Sequence, residues 1–140
     1  MEKWIAYAFI SMFFAGFTSV IAKMGLTGIT GELGLTIRTI FVCGFVLAFA
    51  AWAVPARDLA TVGTRNFLWL GLSGVTTALS WIFYYKALKL GDVATVALID
   101  KGSVVVAMLM AWLVLREVIT LRMLIGAALI VAGLIVIARK

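Results

Sequence analysis

The stretch VATVALIDKGSVVVAMLMAWLVL, residues 93–115, decides the fold. Its only ionisable groups are the adjacent pair Asp100 and Lys101. As a helix rising 1.5 Å per residue it is about 34 Å long, against a hydrocarbon core of about 30 Å. Four further stretches read the same way, at residues 4–22, 35–54, 67–88 and 119–138. Between them lie short polar breaks: KMGLTGITGE (23–32), PARDLATVGTRN (55–66), KLGD (89–92) and RE (116–117). The expectation is an all-α, polytopic membrane protein with five transmembrane helices in one domain, residues 1–140. Connections this short require neighbouring helices to run antiparallel.

Composition points the same way. Hydrophobic residues make up 65% of the chain and charged residues only 13%, and the mean hydropathy is +1.19. A soluble domain carries about half and about a quarter, so these polar side chains are too few to cover a water-facing surface. Membrane lipid is the expected solvent. Apolar segments continue to residue 138, so the first is not read as a cleavable leader. There is one cysteine, Cys43, and no histidine, which removes an internal disulfide framework, His/Cys metal sites and His-based catalytic groups. No phosphate-binding loop of the GxxxxGK[ST] type occurs. No cofactor, metal or enzymatic activity is expected. The net charge of +6 is spread thinly between apolar runs, which suits lipid headgroups and not nucleic acid.

The distribution of that charge bears on assembly. With five spans, one side of the membrane holds Lys3, Arg57, Arg65, Arg116 and Arg122, and the other holds Lys23, Arg38, Lys86, Lys89, Arg139 and Lys140. Five against six gives the positive-inside rule almost nothing to act on. Dual topology is therefore expected, with two copies inserted in opposite orientations. Such an antiparallel homodimer has ten helices and the inverted-repeat design of many secondary transporters.

An ionisable residue at membrane depth costs at least about 2.5 kcal/mol on insertion scales and is a functional candidate by default. Asp100 and Lys101 lie about 10 Å into the fourth span. Neighbours on a helix point about 100° apart, so each is expected to find its partner on another helix, on the other subunit or in a water-filled cavity. In the third span Ser73, Thr77, Ser80 and Tyr84 recur at steps of four, three and four and share a stripe flanked by Trp81 and Tyr85. The stripe is either a cavity wall or a set of self-bonded hydroxyls at a packing face. In the first span Ser11, Ala15, Thr18 and Ala22 form a small-residue stripe, and Lys23 and Arg38 stand at span ends, where snorkelling is expected. In the fifth span Gly126 and Gly133 share a face with Ala132 beside them, which suits a subunit interface.

Residues 81–140, WIFYYKALKLGDVATVALIDKGSVVVAMLMAWLVLREVITLRMLIGAALIVAGLIVIARK, resemble the second half of an EamA domain of the drug/metabolite transporter superfamily. FAGFTSVIAKMGL, residues 14–26, is similar to that domain's first helix. The resemblance covers essentially the whole chain as one EamA-type repeat. It implies a substrate cavity lined by the first, third and fourth helices, with the fifth near the repeat interface. That nominates Thr18, Thr77, Ser80, Trp81, Tyr84, Tyr85, Asp100, Lys101 and Ser103 for substrate binding, and Gly126, Ala132 and Gly133 for the dimer interface. Where the family often closes the fourth helix with Gly-Glu, this chain has Arg116 before Glu117. Small multidrug resistance relatives exchange protons on a first-helix glutamate. Here the first span has no acid beyond Glu2, and Asp100 is the proton-coupling candidate.

The expectation is thus a transporter for a metabolite, amino acid or drug-like solute, working by alternating access in a bacterial inner membrane. The alternative is a non-transport membrane subunit, or half of a heteromeric lipid-carrier flippase. Self-association and solute flux separate the two.

Overall fold

The computed structural model describes residues 3–138. Glu2, Arg139 and Lys140, which entered the charge count and the search for acids, lie outside the described residues. The described chain is helical throughout: α1 (Lys3–Gly25), α2 (Gly31–Ala53), α3 (Ala56–Leu59), α4 (Thr64–Leu90), α5 (Val93–Asp100), α6 (Ser103–Met110), a π-helical turn (Ala111–Leu115) and α7 (Leu121–Ala138). Four segments are long and apolar enough to cross a membrane: α1, α2, α4 and the run Val93–Leu115. The 18-residue α7 is shorter but equally apolar. The chain is a polytopic membrane protein.

It packs as two units, Val20–Leu90 and Met1–Ser19 with Gly91–Lys140. In the first, α2 and α4 run antiparallel, since Glu32 meets Lys86 near one end while Val42 and Leu70 line a common groove further along. Thr30 starts α2 as its N-cap, its hydroxyl accepting from the Leu33 N–H at 3.2 Å and so satisfying one orphan donor of the first turn. Gly31 lets the helices touch: a Cβ there meets the Tyr85 carbonyl oxygen at 2.9 Å. Leu26, Tyr85 and Leu88 are buried here. Two lysines tie the ends together. Lys23 Nζ donates to the Leu88 carbonyl, and Lys89 Nζ donates to the Leu26 carbonyl at 3.0 Å. Lys23 meets a carbonyl in the last turn of α4, one that the helix itself leaves open, and Lys89 joins the Ile29 N–H on the Leu26 carbonyl.

Outside that core the helices present apolar side chains outward, as Phe41, Phe45 and Trp52 do on α2. Lipid tails are as apolar as leucine, so this exposure needs no compensation in a bilayer.

In the other unit the fourth span is not one straight helix. At Lys101 and Gly102 the ladder tightens to i→i−3 bonds: Gly102 N–H to Ile99 O at 2.9 Å, Val104 N–H to Lys101 O at 3.1 Å and Val105 N–H to Gly102 O at 3.0 Å. Such a turn inside a helix often marks a hinge. Gly102 also lets α7 come close, since a Cβ there meets Leu134 Cδ1 at 2.9 Å. The span ends in the widened π turn, where the Arg116 and Glu117 N–H groups both donate to the Ala111 carbonyl. Arg116 is left-handed, at φ 55° and ψ 34°, a conformation that glycine adopts without cost. The position where the family often has glycine keeps glycine's backbone with an arginine in it. Arg116→Gly is accordingly expected to raise stability by about 1 kcal/mol, read as a higher midpoint in thermal unfolding of the detergent-solubilised protein.

Candidate functional site

The Val20–Leu90 unit holds an open groove of about 1110 Å³ between α2 and α4. From α2 it takes Glu32, Thr36, Thr39 and Cys43, and from α4 Ser73, Gly74, Thr77 and Trp81, the remainder being chiefly aliphatic. Its polar residues on α2 recur at steps of four, three and four, one helical face. The hydroxyl protons are spent within the helices: Thr36 on Glu32 O at 2.9 Å, Thr39 on Leu35 O at 2.8 Å and Thr77 on Ser73 O at 2.8 Å. What these threonines offer the groove is acceptor lone pairs. The groove is thus an apolar cleft with a few weakly polar points, suited to a solute with a substantial apolar body.

Charge is arranged around it. Glu32 pairs with Lys86 at 3.4 Å, both side chains at least half exposed. Arg38 stands seven residues after Gly31, about 10 Å along α2. Its guanidinium carbon lies 4.1 Å from the Trp81 ring centroid and 5.8 Å from that of Tyr85. Arg38 does not snorkel. It turns onto two aromatic faces, an attraction that strengthens when water is excluded.

The predicted site residues fall in both units. Thr77, Ser80, Trp81, Tyr84 and Tyr85 all lie on α4, but only Thr77 and Trp81 line the groove, while Tyr85 is buried in the core. Ser80 and Tyr84 lie outside the groove lining. Thr18, on α1, donates to Phe14 O at 2.9 Å. Asp100, Lys101 and Ser103 bracket the break in the fourth span. Here the structure corrects an expectation: Asp100 and Lys101 pair with each other, Lys101 Nζ to Asp100 Oδ2 at 3.6 Å. A lysine stem is long enough to fold back onto its neighbour. The pair is longer than a good hydrogen bond, and both side chains stay partly exposed. Gly126, Ala132 and Gly133 are exposed on α7, and Cβ atoms built on the two glycines meet nothing within 4 Å.

Sequence reasoning missed Arg38, Glu32, Thr36 and Thr39. The 4-3-4 spacing of Glu32, Thr36, Thr39 and Cys43, the same as that of the Ser73–Tyr84 stripe on α4, was the signal for Glu32, Thr36 and Thr39, whereas no spacing marks Arg38.

Comparison with known proteins adds the family. The sequence pattern of the EamA-like transporter family matches residues 2–139. A Sinorhizobium sp. protein described as an uncharacterized transporter in the cobO 3' region is 36% identical over 137 residues, covering 98% of this chain and 97% of its own. No solved structure matches the chain significantly.

Proposed function

The chain belongs to the EamA-like transporter family, and from that premise we propose that it carries a small solute across a bacterial inner membrane by alternating access, as an antiparallel homodimer of two five-helix repeats. The observation that carries the reading is the groove between α2 and α4, an apolar cleft with polar points on helices long enough to span the bilayer. Three features support it further. The basic residues are balanced across the connections, which leaves both orientations open to insertion. The fourth span tightens to a 3₁₀-type turn at Lys101 and Gly102, and such a turn inside a helix often marks a functional hinge. Gly126 and Gly133 keep one face of α7 small enough for a second copy to pack closely. In the Val20–Leu90 unit Thr77 and Trp81 form the wall met by the solute; in the other unit, taken by itself, Thr18, Asp100, Lys101 and Ser103 are proposed contacts. Asp100, the acid deepest in a span, is the proposed proton carrier.

Orientation is the decisive test. Reporters fused after Lys140 that distinguish cytoplasm from the opposite side are expected to report comparable populations on both. A signal confined to one side rejects the inverted homodimer and directs the search to a sister subunit. Solute flux in vesicles containing this protein alone then tests transport itself.

A further inference from the structure

Among the described residues, Arg38 is the charge whose surroundings ask for something the fold does not supply. It sits about two turns inside α2, within a segment long and apolar enough to cross a membrane. Its Nη1 is buried and has no hydrogen-bond partner among the described residues. The acid nearest to it along α2, Glu32, is engaged by Lys86. Trp81 and Tyr85 offer their ring faces to the guanidinium, but a ring accepts charge and leaves in-plane N–H donors unsatisfied. A planar, half-buried guanidinium with an unpaired Nη1 donor is suited to bind an oxyanion through charge-assisted hydrogen bonds.

Trp81 links this cation to the groove. Its ring carries the guanidinium at 4.1 Å, and its side chain is also part of the groove wall. We propose that Arg38 and Trp81 form an anion-recognition site for a molecule that joins an oxyanion to an apolar body. The body lies in the groove against Trp81 and Cys43, and the oxyanion reaches past the Trp81 ring to the unpaired Nη1 of Arg38. A carboxylic acid solute fits this description, and so does the headgroup of an anionic lipid. The inference rests on the transport reading for its purpose, since it names the charge of the solute carried.

The test uses the full chain in nanodiscs of zwitterionic phosphatidylcholine, with 3-phenylpropionate as probe and its uncharged analogue 3-phenylpropanamide as control. The acid is expected to raise the unfolding midpoint and to slow alkylation of Cys43 by a membrane-permeant maleimide, and the amide to do neither. Arg38→Gln is expected to weaken the acid's effect at least about tenfold, and Arg38→Lys to weaken it less. The comparison of acid with amide on the unaltered protein stands even where a variant folds poorly. If phosphatidylglycerol in the disc reproduces the acid's effects and abolishes its binding, with both lost in Arg38→Gln, the anion site stands and a lipid headgroup is its occupant. Equal effects of acid and amide, or an acid effect undiminished in Arg38→Gln, overturn the site. Flux separates the two readings. Carriage of neutral or cationic solutes unaffected by Arg38→Gln keeps the transporter and rejects the anion site, whereas Arg38-dependent binding of the acid without any flux keeps the site and rejects the transporter.

Discussion

Replacing Gly31 with alanine is expected to destabilise the protein by about 2 kcal/mol, and with leucine by more. The reason is what the new Cβ meets. At Gly31 it comes within 2.9 Å of the Tyr85 carbonyl oxygen, 3.1 Å of that carbonyl's carbon and 3.4 Å of the Lys86 nitrogen. All three are backbone atoms of α4, held in place by the helix, so neither side retreats without moving a helix. The adjacent contacts depend on that approach: the Glu32–Lys86 pair one residue along α2, and Arg38 on Trp81 two turns along. Two controls on the same helix give the prediction its sign. At Gly34 the nearest atom is Leu26 Cδ2, the end of a side chain, which can turn aside at smaller cost. At Gly44 nothing lies within 4 Å, and alanine is expected to be neutral or to gain a few tenths of a kcal/mol from helix propensity. Thermal unfolding of the three variants in one detergent orders them. If Gly31→Ala melts with Gly44→Ala, the close crossing of α2 and α4 is wrong.

How much of this was legible in the sequence follows from what each feature demands. A bilayer requires only apolar length, so the spans read at 35–54 and 67–88 correspond to helices Gly31–Ala53 and Thr64–Leu90. The helices run beyond the apolar limits because polar residues such as Thr64, Arg65 and Asn66 remain helical outside the hydrocarbon. Arg38 was read as standing at a span end and free to snorkel; in the structure it turns onto the Trp81 ring of α4, a neighbour that the sequence of α2 alone does not reveal. Lys23 lies in the last turn of its helix as read, but its acceptor was not legible, since it is a carbonyl 65 residues away, and no local pattern reveals such a partner. Periodicity did place Ser73, Thr77, Ser80 and Tyr84 on one stripe. It does not say which neighbour covers each edge of that stripe, and so Thr77 faces the groove while Ser80 and Tyr84 lie beyond its lining. The break in the fourth span had a trace in Gly102, but glycine alone does not distinguish a tightened turn from a packing contact. Here it serves both.

That break carries the second large effect. Asp100→Asn leaves Lys101 without its carboxylate inside a membrane-crossing segment, and Lys101→Met leaves Asp100 without its cation. On insertion scales a lone charge at depth costs about 2.5–3.5 kcal/mol, and the distance of 3.6 Å and partial exposure of the pair keep the expected loss at the lower end, about 2 kcal/mol for each single variant. Removing both charges removes the reason for the loss. Asp100→Asn with Lys101→Met is therefore expected to recover most of the stability, with a coupling of about 1–2 kcal/mol in the double-mutant cycle. Stability and transport then part company. A proton carrier needs a group that binds and releases a proton during the cycle, and neither the asparagine amide nor the methionine thioether does so. The double variant is expected to lose accumulation driven by a pH gradient altogether, and to weaken exchange of solute at equal pH only in part, since two of the proposed contacts are altered. If it accumulates solute as well as the unaltered protein does, Asp100 carries no proton and the pair serves only to hold the broken helix in place.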